Sequence, residues 1–206
     1  MTAQAQVIGA GGHARVVITT LGEAGFEVVA VRDDDPATWG TRCLGIEIRG
    51  GLAELRARPP LPAIVAIGDN RTRARVVASL ALPWAVAVHP RAWVDRTAQL
   101  GPGTVVFAGA IVQPQAVIGA HAIVNTAATV DHDCRIGDFA HLGPGTHLCG
   151  NVAIGSGALV GVGACARPGA SVGDWATIGA GGVIAGTIAA GVTAIGVPAR
   201  ALPERR

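Results

Sequence analysis

Several things are scarce in this 206-residue chain, and each scarcity removes a class of function. No Lys/Arg block extends beyond Arg71/Arg73/Arg75 and Arg205/Arg206, and the net charge is +2, so nothing forms an electrostatic footprint for nucleic acid. Gly, Pro and charged residues break every apolar run well short of the roughly 18 residues that cross a bilayer, so no membrane span is expected. No basic segment followed by an apolar one opens the chain; no secretory leader is expected, and a cytoplasmic location is. The four cysteines, Cys43, Cys134, Cys149 and Cys165, form no CxxC pair and no zinc-ligand spacing, and are expected as reduced thiols filling small apolar spaces. Charged residues make up only 15%, while Gly accounts for 30 positions, a balance tilted towards small and aliphatic side chains that suits a repetitive β fold.

What is there is a repeat. Counting in sixes from Val88 to Ile184, sixteen of seventeen positions are branched aliphatics: V, V, L, V, V, I, V, V, I, L, L, I, V, A, V, I, I. With that position called i, residue i+4 is small through the central run, as in Ala110, Ala116, Ala122, Ala128, Cys134, Ala140 and Thr146. Each i+4 lies two residues before the next i, so both point to one face of a short strand. Turn formers fall at i+2 and i+3, among them Pro102-Gly103, Pro114, Pro144-Gly145 and Pro168-Gly169. Three strand-and-turn units close a triangular coil of 18 residues, and nearly six such coils stack about 4.8 Å apart into a parallel β-helix running to Ala189. The predicted division is residues 1–87 and 88–206.

The first segment reads as α/β. An apolar strand over 4–8 runs into Gly9-Ala10-Gly11-Gly12-His13-Ala14, then a helix over 13–24, then a strand over 27–31 ending in Arg32-Asp33-Asp34-Asp35. A G-x-G-x-x-A turn with carboxylates about twenty residues on sets a phosphate at a helix N-terminus and a ribose hydroxyl near an acid, so this Rossmann-like segment is expected to bind a nucleotide. A strand over 63–67, a loop with Gly68, Asn70 and Arg73, a helix over 71–80 and a strand over 85–88 follow. That second loop belongs at the same carboxyl edge of the sheet.

Six histidines stand out: His13, His89, His121, His132, His141 and His147. His132 takes the corner position i+2 of Val130-Asp131-His132-Asp133-Cys134-Arg135, with a carboxylate on each side. A solvent-facing imidazole beside an acid is what a general base needs, since the acid fixes the tautomer and stabilises the imidazolium. Either Asp131 or Asp133 could orient it. One coil on lies Gly150, whose backbone N–H could approach an oxyanion. His141 sits half a coil from His132, so the two can share a site only across a subunit boundary. Its outward column, Val105, Ile123, His141, Leu159 and Thr177, is apolar enough to expect a partner, whereas the neighbouring column reads Gln99, Val117, Arg135, Ala153, Ser171, Ala189.

Five stretches carry a resemblance: Val7-Ile8-Gly9-Ala10-Gly11-Gly12-His13-Ala14; Ile67-Gly68-Asp69-Asn70-Arg71-Thr72-Arg73; Val124-Asn125-Thr126 through Asp131-His132-Asp133-Cys134; Ile136-Gly137-Asp138-Phe139-Ala140-His141; and Gly196-Val197-Pro198-Ala199-Arg200. In these the chain resembles the hexapeptide-repeat sugar O- and N-acyltransferases of the bacillosamine, perosamine and sialic acid pathways. The resemblance implies a left-handed coil, a homotrimer, and acetyl-CoA and sugar held in clefts between neighbouring helices. It implies His132 as base with Asp133 as its partner, and Asn125 and His141 bordering the sugar; Gly150, one coil from His132, is expected on the cofactor side. It also implies a nucleotide-linked amino sugar held by Gly9, Gly11, Gly12, His13, Asp33, Asp34, Gly68, Asn70 and Arg73. Relatives often carry Glu where this chain has the shorter Asp133.

The expected activity is therefore acetyl transfer from acetyl-CoA to a sugar amine, with no metal. The alternatives are O-acetylation of a sugar hydroxyl and a non-catalytic nucleotide-sugar scaffold. A zinc carbonic anhydrase on the same scaffold would need a close pair of histidines five apart, which the chain lacks. A nicotinamide oxidoreductase would have no hydride-transfer apparatus and would leave the β-helix idle.

Overall fold

The computed structural model describes residues 2–57 and 61–203; the Arg205/Arg206 pair lies outside them. The chain divides into two compact units, Met1–Pro90 and Arg91–Arg206.

In the first unit β1 (Ala3–Ile8) leads through α1 (Gly12–Glu23) to β2 (Phe26–Arg32). A small hairpin of β3 (Arg42–Cys43) and β4 (Ile46–Glu47) follows, then β5 (Ala63–Val65) and α2 (Asn70–Ala78). The sheet order is β2-β1-β5, all parallel, with β1 in the middle and therefore buried from Ala5 to Ile8. Because β1, β2 and β5 run the same way, the loops after them collect at one edge, where open α/β sheets hold ligands. Helix α1 buries Ala14, Val17, Ile18 and Leu21, the three-and-four spacing of one helical face. The strands expected over 63–67 and 85–88 are shorter, ending at Val65 and beginning at Ala87, with Trp84 joined to Ala63 by an isolated bridge. Pro83 ends in a carbonyl that accepts the Ala63 N–H, so pairing begins there without a regular strand.

The second unit is a parallel β-helix of two-residue strands recurring every six residues on three flat faces. The first face runs from Trp93–Val94 to Val183–Ile184, the second from Gln99–Leu100 to Thr187–Ile188, and the third from Val105–Val106 to Thr193–Ile195. Up to Ile184 each strand residue pairs with the one 18 positions on, as Ile111 with Thr129 and His147 with Cys165. The aliphatic column is buried from Val106 to Ile184, and the small residues opposite it are buried from Thr104 to Ala176. Polar members of that column are satisfied inside: Thr104 donates to the Gly119 carbonyl (2.7 Å) and the Cys134 thiol to that of Cys149 (3.2 Å).

Most corners are turns in which the i+4 N–H donates to the i+1 carbonyl, as from Ala164 to Gly161 (3.1 Å), while at Ala122 and Val152 it reaches Thr104 Oγ1 and Cys134 Sγ of the coil before. Residue i+3 has positive φ at every corner from Gly103 to Gly181, and the preceding position is where the prolines fall. Half of these residues carry side chains: Gln115, His121, Ala127, Asp133, Phe139, Asn151 and Trp175.

Two expectations need correction. The 18-residue register holds to Ile184, not to Ala189: Ser171 pairs with Thr187 and Thr177 with Thr193, a step of 16. The corner at Ala185-Gly186 omits the two turn residues, and Gly186 itself offers the carbonyl that Ser171 uses, so Ala189 leaves the second-face column. Of the cysteines, all free, only Cys43 and Cys134 are buried fillers; Cys149 and Cys165 are exposed, because i+1 and i+5 face outward here. In the outward column of the third face, Val105 and Ile123 are already buried within the chain, leaving Leu159 and Thr177 as its half-covered apolar members.

At the corner between the second and third faces a methyl on Gly157 would lie 2.2 Å from the Trp175 ring, whereas one on Gly163, at the following corner, would meet nothing within 4 Å; both have positive φ. Gly163→Ala is expected to lose about 1 kcal/mol from backbone conformation alone. Gly157→Ala is expected to lose clearly more, since Trp175 must move as well. Urea denaturation of the two variants beside the parent measures the difference.

Candidate active site

His132 stands at the corner between the first and second faces, with 60% of its side chain exposed. Its backbone is held from both sides: the next residue's N–H donates to Pro114 of the coil before (3.2 Å), and the His132 carbonyl accepts from Asn151 of the coil after (2.9 Å). Asp133 occupies the positive-φ position (φ 60°), a conformation that Asp tolerates better than most residues. From there its Oδ2 lies 2.7 Å from His132 Nδ1. The two acids are thereby distinguished: Asp131 Oδ1 accepts the His132 backbone N–H (2.8 Å), and Asp133 orients the ring. One methylene less than Glu is no handicap with the backbone turned this way. A carboxylate on Nδ1 assigns the proton to that nitrogen and leaves the Nε2 lone pair facing outward. The imidazole's proton affinity is raised above its ordinary value by the Asp133 hydrogen bond first and by the Asp131 charge next.

Gly150 is pressed against the ring. A methyl there would sit 2.6 Å from both Cε1 and Nε2 of His132. Among the described residues its own N–H pairs with no backbone acceptor, so an uncommitted donor belongs to the residue that packs on the imidazole.

Asn125 and His141 are brought together, Asn125 Nδ2 lying 3.0 Å from His141 Nε2, at the corner between the third and first faces. They are not brought to His132. The strand Thr129–Val130 and its first-face neighbours separate the two groups. Along that face runs a groove of about 310 Å³ lined by Ile111, Gln113, Thr129, Asp131, His147, Leu148 and Cys149. Thr129 Oγ1 and His147 Nδ1 are 3.0 Å apart, a pair that their offset of 18 residues makes legible in the sequence. A second groove, of about 540 Å³, opens on the other side of the corner between Gln99, Gln115, Val117, Asp133, Arg135 and Asn151.

In the first unit the glycine turn and the second loop do lie together: a methyl on Gly9, whose φ is +100°, would press on Ile67 and the Ala66 carbonyl. At Gly11, Gly12 and Gly68 a methyl would meet nothing within 4 Å, so packing does not demand glycine there, although close approach by a ligand would. Asp33 binds the turn itself, Oδ2 accepting from Ala10 N–H (2.7 Å) and Oδ1 from Asp35 N–H (2.9 Å), while Asp34 accepts from Leu52 N–H (2.8 Å). Arg73 is turned inward and buried, donating to the Ile67 carbonyl (2.8 Å) and Asn70 Oδ1 (2.8 Å). Burial lowers its pKa to about 10. His13, half-buried at the start of α1, is pushed down to about 4 by burial and then by the Arg73 charge, and so is neutral at pH 7. One residue that sequence reasoning passed over also belongs here: Trp39, whose Nε1–H donates to the Asp33 carbonyl (2.7 Å). Its signal was an aromatic six residues beyond the acid in a chain with only 3% aromatics.

Residues 5–80 match the family described as PglD N-terminal domain. No curated protein matches the chain. Among solved structures, PerB from Caulobacter crescentus in complex with CoA and GDP-perosamine is 40% identical, with 98% of each chain covered and a TM-score of 0.92. The acetyltransferase domain of PglB from Neisseria gonorrhoeae, in complex with acetyl coenzyme A, is also 40% identical over 98% of this chain and 100% of that one, with a TM-score of 0.91. The chain belongs to the family of sugar N-acetyltransferases that carry a PglD-type N-terminal domain. WeeI from Acinetobacter baumannii, 24% identical over 98% of this chain and 100% of that one with a TM-score of 0.76, shares the fold. In this acetyltransferase family the coil is a left-handed β-helix, and so it is here.

For this family member two outcomes follow from the corner geometry. Gly150→Ala is expected to keep the fold, since the glycine's φ is not positive, while displacing the imidazole and cutting turnover by one to two orders of magnitude. Circular dichroism and steady-state kinetics together check both halves. Asp133→Asn is expected to lower the His132 pKa, because it removes the Asp133 charge and exchanges a charge-assisted hydrogen bond for a weaker neutral one. NMR titration of the ring protons reads the shift directly, and an unmoved titration would remove Asp133 as the orienting acid.

Proposed function

We propose that the protein transfers the acetyl group of acetyl-CoA to the amino group of a nucleotide-linked sugar, with His132 as general base and Asp133 as the acid that orients it. The observation that carries this is the His132 Nδ1–Asp133 Oδ2 contact of 2.7 Å, which leaves an outward Nε2 of raised basicity beside Gly150. Bound CoA with GDP-perosamine in PerB, and acetyl coenzyme A in the PglB domain, support the substrate pair.

In the proposed reaction the sugar nitrogen attacks the thioester carbonyl carbon. His132 Nε2 takes the proton that the nitrogen sheds, and Asp133 steadies the imidazolium formed. As the tetrahedral intermediate collapses, the carbon–sulfur bond breaks and the sulfur leaves as the CoA thiol, protonated from His132. The Gly150 N–H is proposed to donate to the oxyanion, a role that a backbone donor beside the base can fill without reorganising. No covalent enzyme intermediate is required.

The first unit is proposed to hold the nucleotide over the Gly9–His13 turn and the Gly68–Arg73 loop, with Asp33 and Asp34 alongside. Neutral His13 favours an uncharged hydrogen bond there, and Arg73 and Asn70 act by fixing the second loop. The acceptor site is proposed to be completed by a second copy: Asn125 and His141 lie at the far end of the first face from His132, so a neighbour's pair could border the sugar at this chain's base. A homotrimer, three times 20.6 kDa, working in the cytoplasm is the assembly proposed.

Thiol release from acetyl-CoA, with GDP- and UDP-linked amino sugars offered as acceptors, tests the reading. Turnover in His132→Ala is expected to fall by roughly 10²- to 10⁴-fold, the usual worth of a general base. Undiminished turnover in that variant would remove His132 from the mechanism, and no thiol release with any acceptor would favour a non-catalytic scaffold.

A further inference from the structure

Trp39 lies in the loop after β2, at the carboxyl edge of the sheet, with 45% of its surface exposed. Large apolar side chains in such a position ordinarily turn inward, and the geometry here prevents it. The indole Nε1–H is committed to the Asp33 carbonyl at 2.7 Å, which fixes the ring by its polar edge. Asp33 in turn holds the glycine turn through Ala10 N–H (2.7 Å). One residue therefore ties the ring to the phosphate-type turn. The Cζ2 edge of the indole faces Gly51, where even a methyl group would come to 3.6 Å, so the ring is also backed by bare chain.

With its only donor spent on the protein, the exposed ring can offer a ligand nothing but its π-face and apolar area. We infer that Trp39 is the platform on which the base of the bound nucleotide stacks, and that the base is a purine. This rests on the nucleotide-binding reading proposed above. Stacking attraction grows with overlap, and a two-ring purine covers an indole more fully than a one-ring pyrimidine does. A platform without hydrogen-bonding groups selects by ring size, so guanine and adenine are both favoured over uracil. The loop Asp33–Trp39 thereby reads the base, while the glycine turn meets the phosphates.

Titration calorimetry of the whole chain with GDP, ADP and UDP, using wild type, Trp39→Phe and Trp39→Ala, tests it. Wild type is expected to bind both purine nucleotides several-fold more tightly than UDP. Trp39→Ala is expected to lose roughly tenfold for GDP and ADP, with little change for UDP, and Trp39→Phe to keep most of the affinity. With a nucleotide amino sugar carrying a purine, KM should rise in Trp39→Ala by far more than kcat falls. Purine affinity unchanged in Trp39→Ala, or UDP bound by wild type as tightly as GDP, overturns the inference and leaves nucleotide binding standing. Wild type that binds none of the three overturns both readings at once.

Discussion

Through the body of the β-helix, the chain bends sharply every six residues by placing one residue at each corner in a backbone conformation that side chains disfavour. That residue is i+3, held at positive φ from Gly103 to Gly181. The conformation costs on the order of 1 kcal/mol for a residue with a side chain, and it is adopted seven times here by residues other than glycine. What offsets the cost is shared among the coils: an N–H from the same residue reaches a carbonyl of the coil before, aliphatic side chains stack along the interior, and the buried polar groups of the small column are satisfied. No coil could hold its corners alone, which is why the fold exists only as a stack.

The same torsion shapes the proposed site. With Asp133 at positive φ, its short side chain swings onto the ring of the residue before it, and a nominally strained corner holds an imidazole in one tautomer, as the proposed base requires. Strain held by a stiff scaffold is a common basis for preorganisation. Stiffness comes here from coils on both sides of His132, and the ring itself rests on Gly150, so an exposed side chain has a defined place despite lying in solvent.

Much of this was legible from residue types alone. The period of six announced itself because interior positions accept only aliphatics, and once the register was known, the His132 corner and its Gly150 neighbour followed by counting 18. Counting failed at Ala185-Gly186, because no aliphatic position reports a missing pair of turn residues until strands are seen to pair. Which carboxylate meets His132 depended on a torsion angle, and Asp131 and Asp133 look alike in sequence. In the first unit the glycine turn was readable, but Asp33, Asn70 and Arg73 had uses inside their loops that spacing could not foretell. Trp39 escaped because an exposed tryptophan becomes informative only when its hydrogen bond is known.

A stack of parallel strands has an end, and an open end is a row of unpaired amide and carbonyl groups able to recruit another strand. On the third face that row is met by Arg200–Ala201, which turns back and pairs antiparallel with Thr193–Ile195. A reversed strand cannot continue the winding, because the next coil would need one running forward. The shortened corner at Gly186 begins the same change by breaking the step of 18 just before it. On that face the C-terminal segment closes the edge that the repeating geometry would otherwise leave open to one more forward coil.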